Sequence, residues 1–263
     1  MAKEISRIAV GVEYDGTAYK GFQKQKSTNE TIQGFIDVAL SQIADQKINT
    51  TCSGRTDTGV HAYCQIIHFD TAAFRAKKAW IQGGNALLPK DIRFIWAQKV
   101  SNNFHSRFSA ISRTYRYIIR NSSFPSALNR NRHLWIKEDL DLLGMRRASS
   151  YLIGEQDFAS FRSSTCESKT SLRKIHSIRI QKQSELVLID ITANAFLLNM
   201  VRIIVGTLLE VGSKKITPKE VKLILSAKDR KLAGKTSSPE GLYFVGASYL
   251  KKFKIPPVSN CKC

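Results

Sequence analysis

Asp57 is the only acidic residue between Asp45 and Asp70. It lies in the run Ser53-Gly54-Arg55-Thr56-Asp57-Thr58-Gly59-Val60-His61-Ala62. Gly54 and Gly59 bracket it, so the backbone there can turn and come close to a ligand. Thr56 and Thr58 flank it, and Arg55 stands two positions upstream. A single carboxylate in a Gly-bounded loop reads as a reactive group being presented. Asp-Thr-Gly also forms the paired turn of aspartic proteases, whose chemistry needs two carboxylates sharing a proton. The chain has no second Asp-Ser/Thr-Gly, so a protease dyad would have to be completed by dimerising. Arg55 and a net charge of +20 fit that chemistry poorly.

Two further constellations carry chemical weight. The stretch from Leu197 to Val211 is apolar on nearly all sides, which marks a buried helix. Arg202 falls inside it and cannot shed its proton to escape a low dielectric. It either pairs with a carboxylate, a lone Asp in a tight loop being the kind of group that needs such a cation, or snorkels to the surface from the helix end. Between Phe104 and Arg120, basic residues interleave with aromatics: His105, Arg107, Phe108, Arg113, Tyr115, Arg116 and Tyr117. Aromatic faces stack on unpaired bases while arginines meet phosphates, so the run suits looped or single-stranded RNA. It also reads as a half-buried strand with a basic side, Tyr115 and Tyr117 on one face and Arg116 on the other. The five histidines have no metal-ligand spacing. No Walker A or G-x-G-x-x-G occurs, so neither a metal nor a nucleotide cofactor is implied.

Composition narrows the partner. The 263 residues are 43% hydrophobic, enough for two ordinary domains with a proper core. Lys and Arg number 41 against 21 Asp and Glu, spread along the chain rather than gathered in a tail. A broad positive surface of this kind points to a polyanion, with a ribosome-associated scaffold as the plainer reading. Five cysteines without a C-x-x-C pair form neither a disulfide framework nor a zinc pattern. The N-terminus lacks a signal-peptide apolar block. The longest apolar stretch, residues 196–211, would reach about 24 Å as a helix, short of a bilayer core of roughly 30 Å. A cytoplasmic, reduced protein with no membrane contact is expected.

The elements that must position these residues are legible by period. Arg7 to Tyr14 alternates as a strand, and residues 31–45 carry an amphipathic helix. A strand at Gln65 to Phe69, a helix at Lys77 to Leu87 and a strand at Ile92 to Val100 follow. A second set begins near residue 111: a strand at Tyr115 to Arg120, a helix at Leu140 to Leu152, and a hairpin of Ile175 to Gln181 with Leu186 to Thr192. A helix over Leu198 to Val211 comes next. Thr217-Pro218-Lys219-Glu220 opens another as a capping box with Pro at its first position. A strand at Leu242 to Tyr249 closes the set. The two halves share an inventory, so a pseudo-duplicated α+β protein with a central sheet is expected. Its domains are residues 1–105, carrying the Asp57 loop, and 106–250, followed by a basic, frayed tail at 251–263.

Over nearly its whole length the chain resembles the TruA family of tRNA pseudouridine synthases. Tyr14-Asp15-Gly16-Thr17, Gly21-Phe22-Gln23 and Thr31-Ile32-Gln33-Gly34 are similar to that family's N-terminal segment, and residues 53–62 to its catalytic loop. Leu88-Pro89 with Asp91-Ile92-Arg93, Arg107-Phe108-Ser109-Ala110, Tyr115-Arg116-Tyr117, Phe196-Leu197 through Arg202, and Gly241-Leu242-Tyr243 follow in the family's order. The resemblance implies two pseudo-symmetric, ferredoxin-like-derived halves that form a mostly antiparallel mixed sheet flanked by helices, with a catalytic cleft between them. It implies a homodimeric, cofactor-free and metal-free isomerase that turns uridine into pseudouridine at positions 38, 39 and 40 of the tRNA anticodon stem-loop; a paralogue acting on other RNA sites is the alternative. Asp57 would be the nucleophile, with Arg202 holding it ionised. Tyr115 would lie against the flipped uracil and assist removal of its C5 proton, and Arg55 would help extract the nucleotide. Phe22 departs from the family, which commonly has Trp there, and Leu198 from an aromatic or His.

Overall fold

The computed structural model describes residues 4–257. In chain order its strands and α-helices are β1 (Ser6–Tyr14), α1 (Ile32–Ala44), β2 (Thr51–Cys52), β3 (His61–Thr71), α2 (Gly84–Leu87), β4 (Ile92–Val100), β5 (Ala110–Asn121), β6 (Leu134–Ile136), α3 (Leu142–Ser150), β7 (Gly154–Asp157), β8 (Leu172–Gln183), β9 (Leu186–Ala193), α4 (Met200–Gly212), α5 (Pro218–Ala227) and β10 (Leu242–Tyr249). The fold class is α+β. The chain forms two compact units, one running to Arg113 and resuming at Tyr243, the other spanning Thr114–Leu242.

In the first unit β1 lies between β3 and β4, antiparallel to both. β1, buried from Ile8 to Val12, reads as a central strand because both of its faces are covered. β3 carries β2 antiparallel and β10 parallel, with Tyr243 opposite His61. α1 starts on Thr31, whose hydroxyl accepts the Gly34 N–H. Its Ile32, Ile36, Ala39 and Leu40 are buried, whereas Phe35 and Val38 stay exposed. The helix expected over residues 77–87 is present, but its middle, Ala79–Gly83, widens into a π turn. That turn seats the buried Trp80 edge-on against Phe69, 5.2 Å between ring centroids.

In the second unit the strand order is β5-β9-β8-β7, with β6 parallel to β5. β8 and β9 form the expected hairpin, and Ser184 at its turn adopts a left-handed φ of 55°. α3 is capped by Asp141, which accepts the Gly144 N–H at 2.9 Å. α5 has the expected capping box, Glu220 accepting the Thr217 N–H at 2.6 Å.

Three expectations change. The apolar helix begins at Met200 rather than Leu198, because Asn199 takes a left-handed φ of 60° that ends any helical register before it. A linear boundary at residue 105 does not capture β10, which returns to the first unit to pair with β3. The tail is ordered at its start: Lys251–Phe253 forms a 3-10 turn, and the Phe253 ring packs 5.3 Å from that of Phe104. Residues 258–263, with Cys261 and Cys263, lie outside the described residues.

Candidate active site

The Asp57 loop connects β2 to β3 and is held from behind by buried polar side chains. Gln65 of β3, fully buried, does most of this. Its Oε1 accepts from the Ser53 hydroxyl at 2.6 Å and from the Gly54 N–H at 3.3 Å, while its Nε2 donates to the Gly54 carbonyl at 2.5 Å. Ser53 N–H also donates to Ile66 O at 2.8 Å. One turn on, the Thr56 hydroxyl meets the Tyr14 hydroxyl at 2.7 Å, and Thr56 O accepts the Phe22 N–H at 3.0 Å. Burial pushes the Tyr14 phenol far up, so it stays protonated and serves as a fixed strut.

Two close backbone approaches complete the cradle. A Cβ on Gly16 would stand 2.0 Å from Val60 O, so only glycine lets that turn lie against the loop. Gly21 has a φ of 89°, and a Cβ there would stand 2.9 Å from Thr56 O. Ser53, Thr56 and Val60 are therefore buried, Arg55 and Thr58 are exposed, and Asp57 is half-buried between them. Cys52, next to the loop, has its thiol raised to about 11, by burial above all, and stays protonated. It is not a nucleophile at neutral pH.

The far end of the loop rests on an aromatic stack. Tyr243 of β10 lies between His61, 4.7 Å away at 26°, and Tyr63, 4.9 Å away at 16°. His61 Nδ1 is 3.1 Å from Gly16 N and 2.9 Å from Asp15 Oδ1, and Asp15 also accepts the Thr17 N–H and hydroxyl. The Tyr14-Asp15-Gly16-Thr17 turn thus braces the residue that follows the loop.

Tyr115 and Arg202 lie in the second unit. Tyr115 is nearly buried in β5, edge-on to Phe196 with 5.0 Å between centroids. Tyr117 shares its face and is fully buried, its hydroxyl donating to Ser238 O at 2.8 Å. Arg116 points the other way and holds Asp190 through two hydrogen bonds of 2.7 and 3.0 Å. Arg120 pairs with Glu185 at 2.6 Å. Along β5 the charges of the basic-aromatic run are spent within the unit, as its reading as a half-buried strand expects.

Arg202 is half-buried on α4, less so than its apolar setting suggested. Its Nε donates to Ser237 O at 2.7 Å and its Nη1 to Asn199 Oδ1 at 3.2 Å, while Ser237 N–H returns a bond to Arg202 O at 3.1 Å. The segment 233–238 is strapped against the helix. Gly234 N–H donates to the Thr207 hydroxyl at 2.9 Å, and a Cβ on Gly206 would stand 1.8 Å from Lys235 O.

Asp57 and Arg55 thus share one loop of the first unit, and Tyr115 and Arg202 belong to the second. Sequence reasoning missed Gln65, the supporting role of Tyr14, the stacked Tyr243 and the Ser237 strap. Only Gln65 carried a signal, as an amide at the head of an otherwise apolar strand segment. Among the described residues, no group of three or more His, Cys, Asp or Glu side chains is placed to hold a metal, and no helix is long and apolar enough to cross a membrane.

A family model described as tRNA pseudouridine synthase matches residues 10–109 and 148–250. The chain is 48% identical over 247 residues to a tRNA pseudouridine synthase A of Legionella pneumophila, covering 94% of each chain. It is 45% identical over 252 residues to the protein of that name from Coxiella burnetii, covering 96% of each. To that of Alcanivorax borkumensis it is 44% identical, covering 96% of this chain and 94% of the relative. Among solved structures, an archaeal box H/ACA sRNP Nop10-Cbf5 complex aligns with 77% of this chain and 43% of its own at 11% identity and a TM-score of 0.37, a distant likeness.

Proposed function

The chain belongs to the tRNA pseudouridine synthase family, and we propose that Asp57 is the nucleophile with which it isomerises uridine at positions 38, 39 and 40 of the anticodon stem-loop. The observation that carries this reading is the Asp57 loop itself. Its flanks are fastened by Gln65, Tyr14 and two glycines, while the carboxylate-bearing residue is half-buried between exposed Arg55 and Thr58. A rigid scaffold around one reachable carboxylate is what covalent catalysis requires.

The reaction is an atom-balanced rearrangement. The bond from ribose C1′ to uracil N1 breaks, the ring turns, and C1′ bonds to C5. The C5 proton leaves and N1 gains one, with no electron or atom exchanged. Attack by Asp57 on the ribose or on the base detaches the ring in either case, and a carboxylate serves only when ionised. Arg202 is the cation assigned to keep it so; its guanidinium is aimed by Ser237 and Asn199. Tyr115, braced by Phe196, is assigned to the face of the flipped uracil and to assisting C5 proton removal. Arg55 holds the backbone phosphate of the extracted nucleotide, offsetting an unstacking cost of a few kcal/mol. A homodimer in the cytoplasm, both subunits gripping one tRNA, accords with a net charge of +20.

Mapping pseudouridine on unmodified tRNA with wild-type and Asp57→Asn protein tests the reading. Asp57→Asn should abolish product, a loss of roughly 10⁴-fold or more, while tRNA affinity barely changes. Residual turnover near wild type removes Asp57 from the chemistry. A product map without sites in anticodon arms moves the target elsewhere.

A further inference from the structure

The basic-aromatic run holds one feature that this reaction scheme leaves unused. Just before β5 the chain makes a tight turn, residues 105–109, with Arg107 and Phe108 at its tip. His105 Nδ1 accepts the N–H of Arg107 at 3.2 Å and of Phe108 at 3.1 Å, and Ser109 N–H donates to His105 O at 2.9 Å. The turn is fastened to the approach to the Asp57 loop. Ser106 donates its hydroxyl to Thr51 O at 2.7 Å, and Arg113 donates both to Arg107 O and, at 3.3 Å, to Ser53 O. From the other side Tyr249 donates to Ser106 O at 2.6 Å.

Phe108 is nonetheless 75% exposed. Its ring lies 4.3 Å from that of His105, tilted by 30°, and the Arg107 guanidinium stands 5.4 Å from its centroid. Burial lowers the pKa of His105, so the ring beneath is neutral at physiological pH. A phenylalanine this exposed adds little to the core, yet the seven hydrogen bonds named above hold its turn in place. A rigid aromatic face beside a guanidinium is the element on which an unpaired base stacks while the adjoining phosphate is neutralised. The exposed Arg107 beside the ring favours a polyanion over an apolar protein surface.

We propose that Phe108 is a stacking platform for an unpaired base of the tRNA substrate other than the target uridine, with Arg107 contacting the adjacent phosphate. The platform rests on the reading that the target nucleotide is brought to the Asp57 loop. It would set how the RNA is gripped beside the reacting residue rather than the chemistry itself, so Phe108 is a positioning residue.

Phe108→Leu keeps the apolar bulk and removes the aromatic face, Phe108→Trp keeps a face, and Arg107→Met removes the charge. Each is measured for affinity toward an unmodified tRNA transcript, single-turnover pseudouridine formation at saturating tRNA, salt dependence, and sedimentation. Phe108→Leu should weaken binding roughly five- to a hundredfold with the saturated rate little changed, and Phe108→Trp should restore it. Arg107→Met should lower the salt slope by about one. Unchanged affinity in Phe108→Leu overturns the platform; so does a loss of rate without loss of affinity. A changed oligomeric state with unchanged RNA binding assigns the face to protein contact instead. If wild-type protein forms no pseudouridine while Phe108→Leu still weakens binding, the reaction assignment fails and the platform stands.

Discussion

The Asp57 loop and the Arg202 helix place opposite charges by opposite means. The loop is irregular, and buried side chains fasten it: Gln65 bonds both main-chain groups of Gly54 and the Ser53 hydroxyl, and Tyr14 bonds the Thr56 hydroxyl. Arg202 sits on a regular helix whose backbone is already satisfied. A strap of main chain orients it, through Ser237 O and a reciprocal Ser237 N–H bond. A residue that must be reached by a substrate is best carried on a loop whose stiffness comes from behind. A residue that must only hold a charge in place can ride on a helix and be fixed by carbonyls.

The comparison can be broken or sharpened by substitution, beginning with the largest effect. Arg202→Met should cut the saturated rate on the order of 10²- to 10³-fold. An unchanged rate would make Arg202 purely structural. Next come the paired glycines. Gly16→Ala drives a Cβ into Val60 O and Gly206→Ala drives one into Lys235 O, neither of which can rotate away. Each should destabilise by about 1–3 kcal/mol or more in thermal melts. If Gly206→Ala melts like wild type, the strap is not fixed to the helix and the contrast fails.

A third test uses acid. Burial first, then the charges of His105 and Arg7, lower the pKa of His68 to about 4 from 6.5, opposed by Asp70. Its Nδ1 meets Ser106, whose hydroxyl supports β2 ahead of the Asp57 loop. The unfolded chain takes up this proton first, so stability is full above about pH 6.5 and falls as the pH drops toward 4. The loss should be on the order of 2 kcal/mol in denaturant titrations, and His68→Gln should flatten it. The smallest effect is Tyr14→Phe, which removes one buried hydrogen bond to Thr56 and should cost about 1 kcal/mol with a modest fall in rate. No change in either would show that Gln65 alone holds the loop.

Much of the architecture was legible because it is written in local periods. β4 spans the residues its alternation marked, and the capping box of α5 starts the helix where Thr217 predicts. The strands that escaped notice, β2, β6 and β7, have two to four residues. Segments that short hold no period, and they exist because a longer neighbour offers a free edge. The hydrophobic pattern alone starts the apolar helix two residues early, because Leu198 fits it. What stops the helix is the left-handed backbone of Asn199.

For the site, the chain by itself pointed to a candidate reactive group and to the kind of partner. Asp57 is isolated among glycines and hydroxyls, aromatics alternate with arginines, and a charge of +20 calls for a polyanion. Those are properties of residue type and spacing. Tertiary structure decided what holds Asp57 still and which arginines are spent. Gln65 reaches back across β3, Tyr243 comes in from a strand at the far end of the chain, and Arg116 and Arg120 are paired to Asp190 and Glu185. These contacts join residues far apart in sequence, and no local pattern encodes them. They form because buried polar groups must find partners wherever the folded chain provides them.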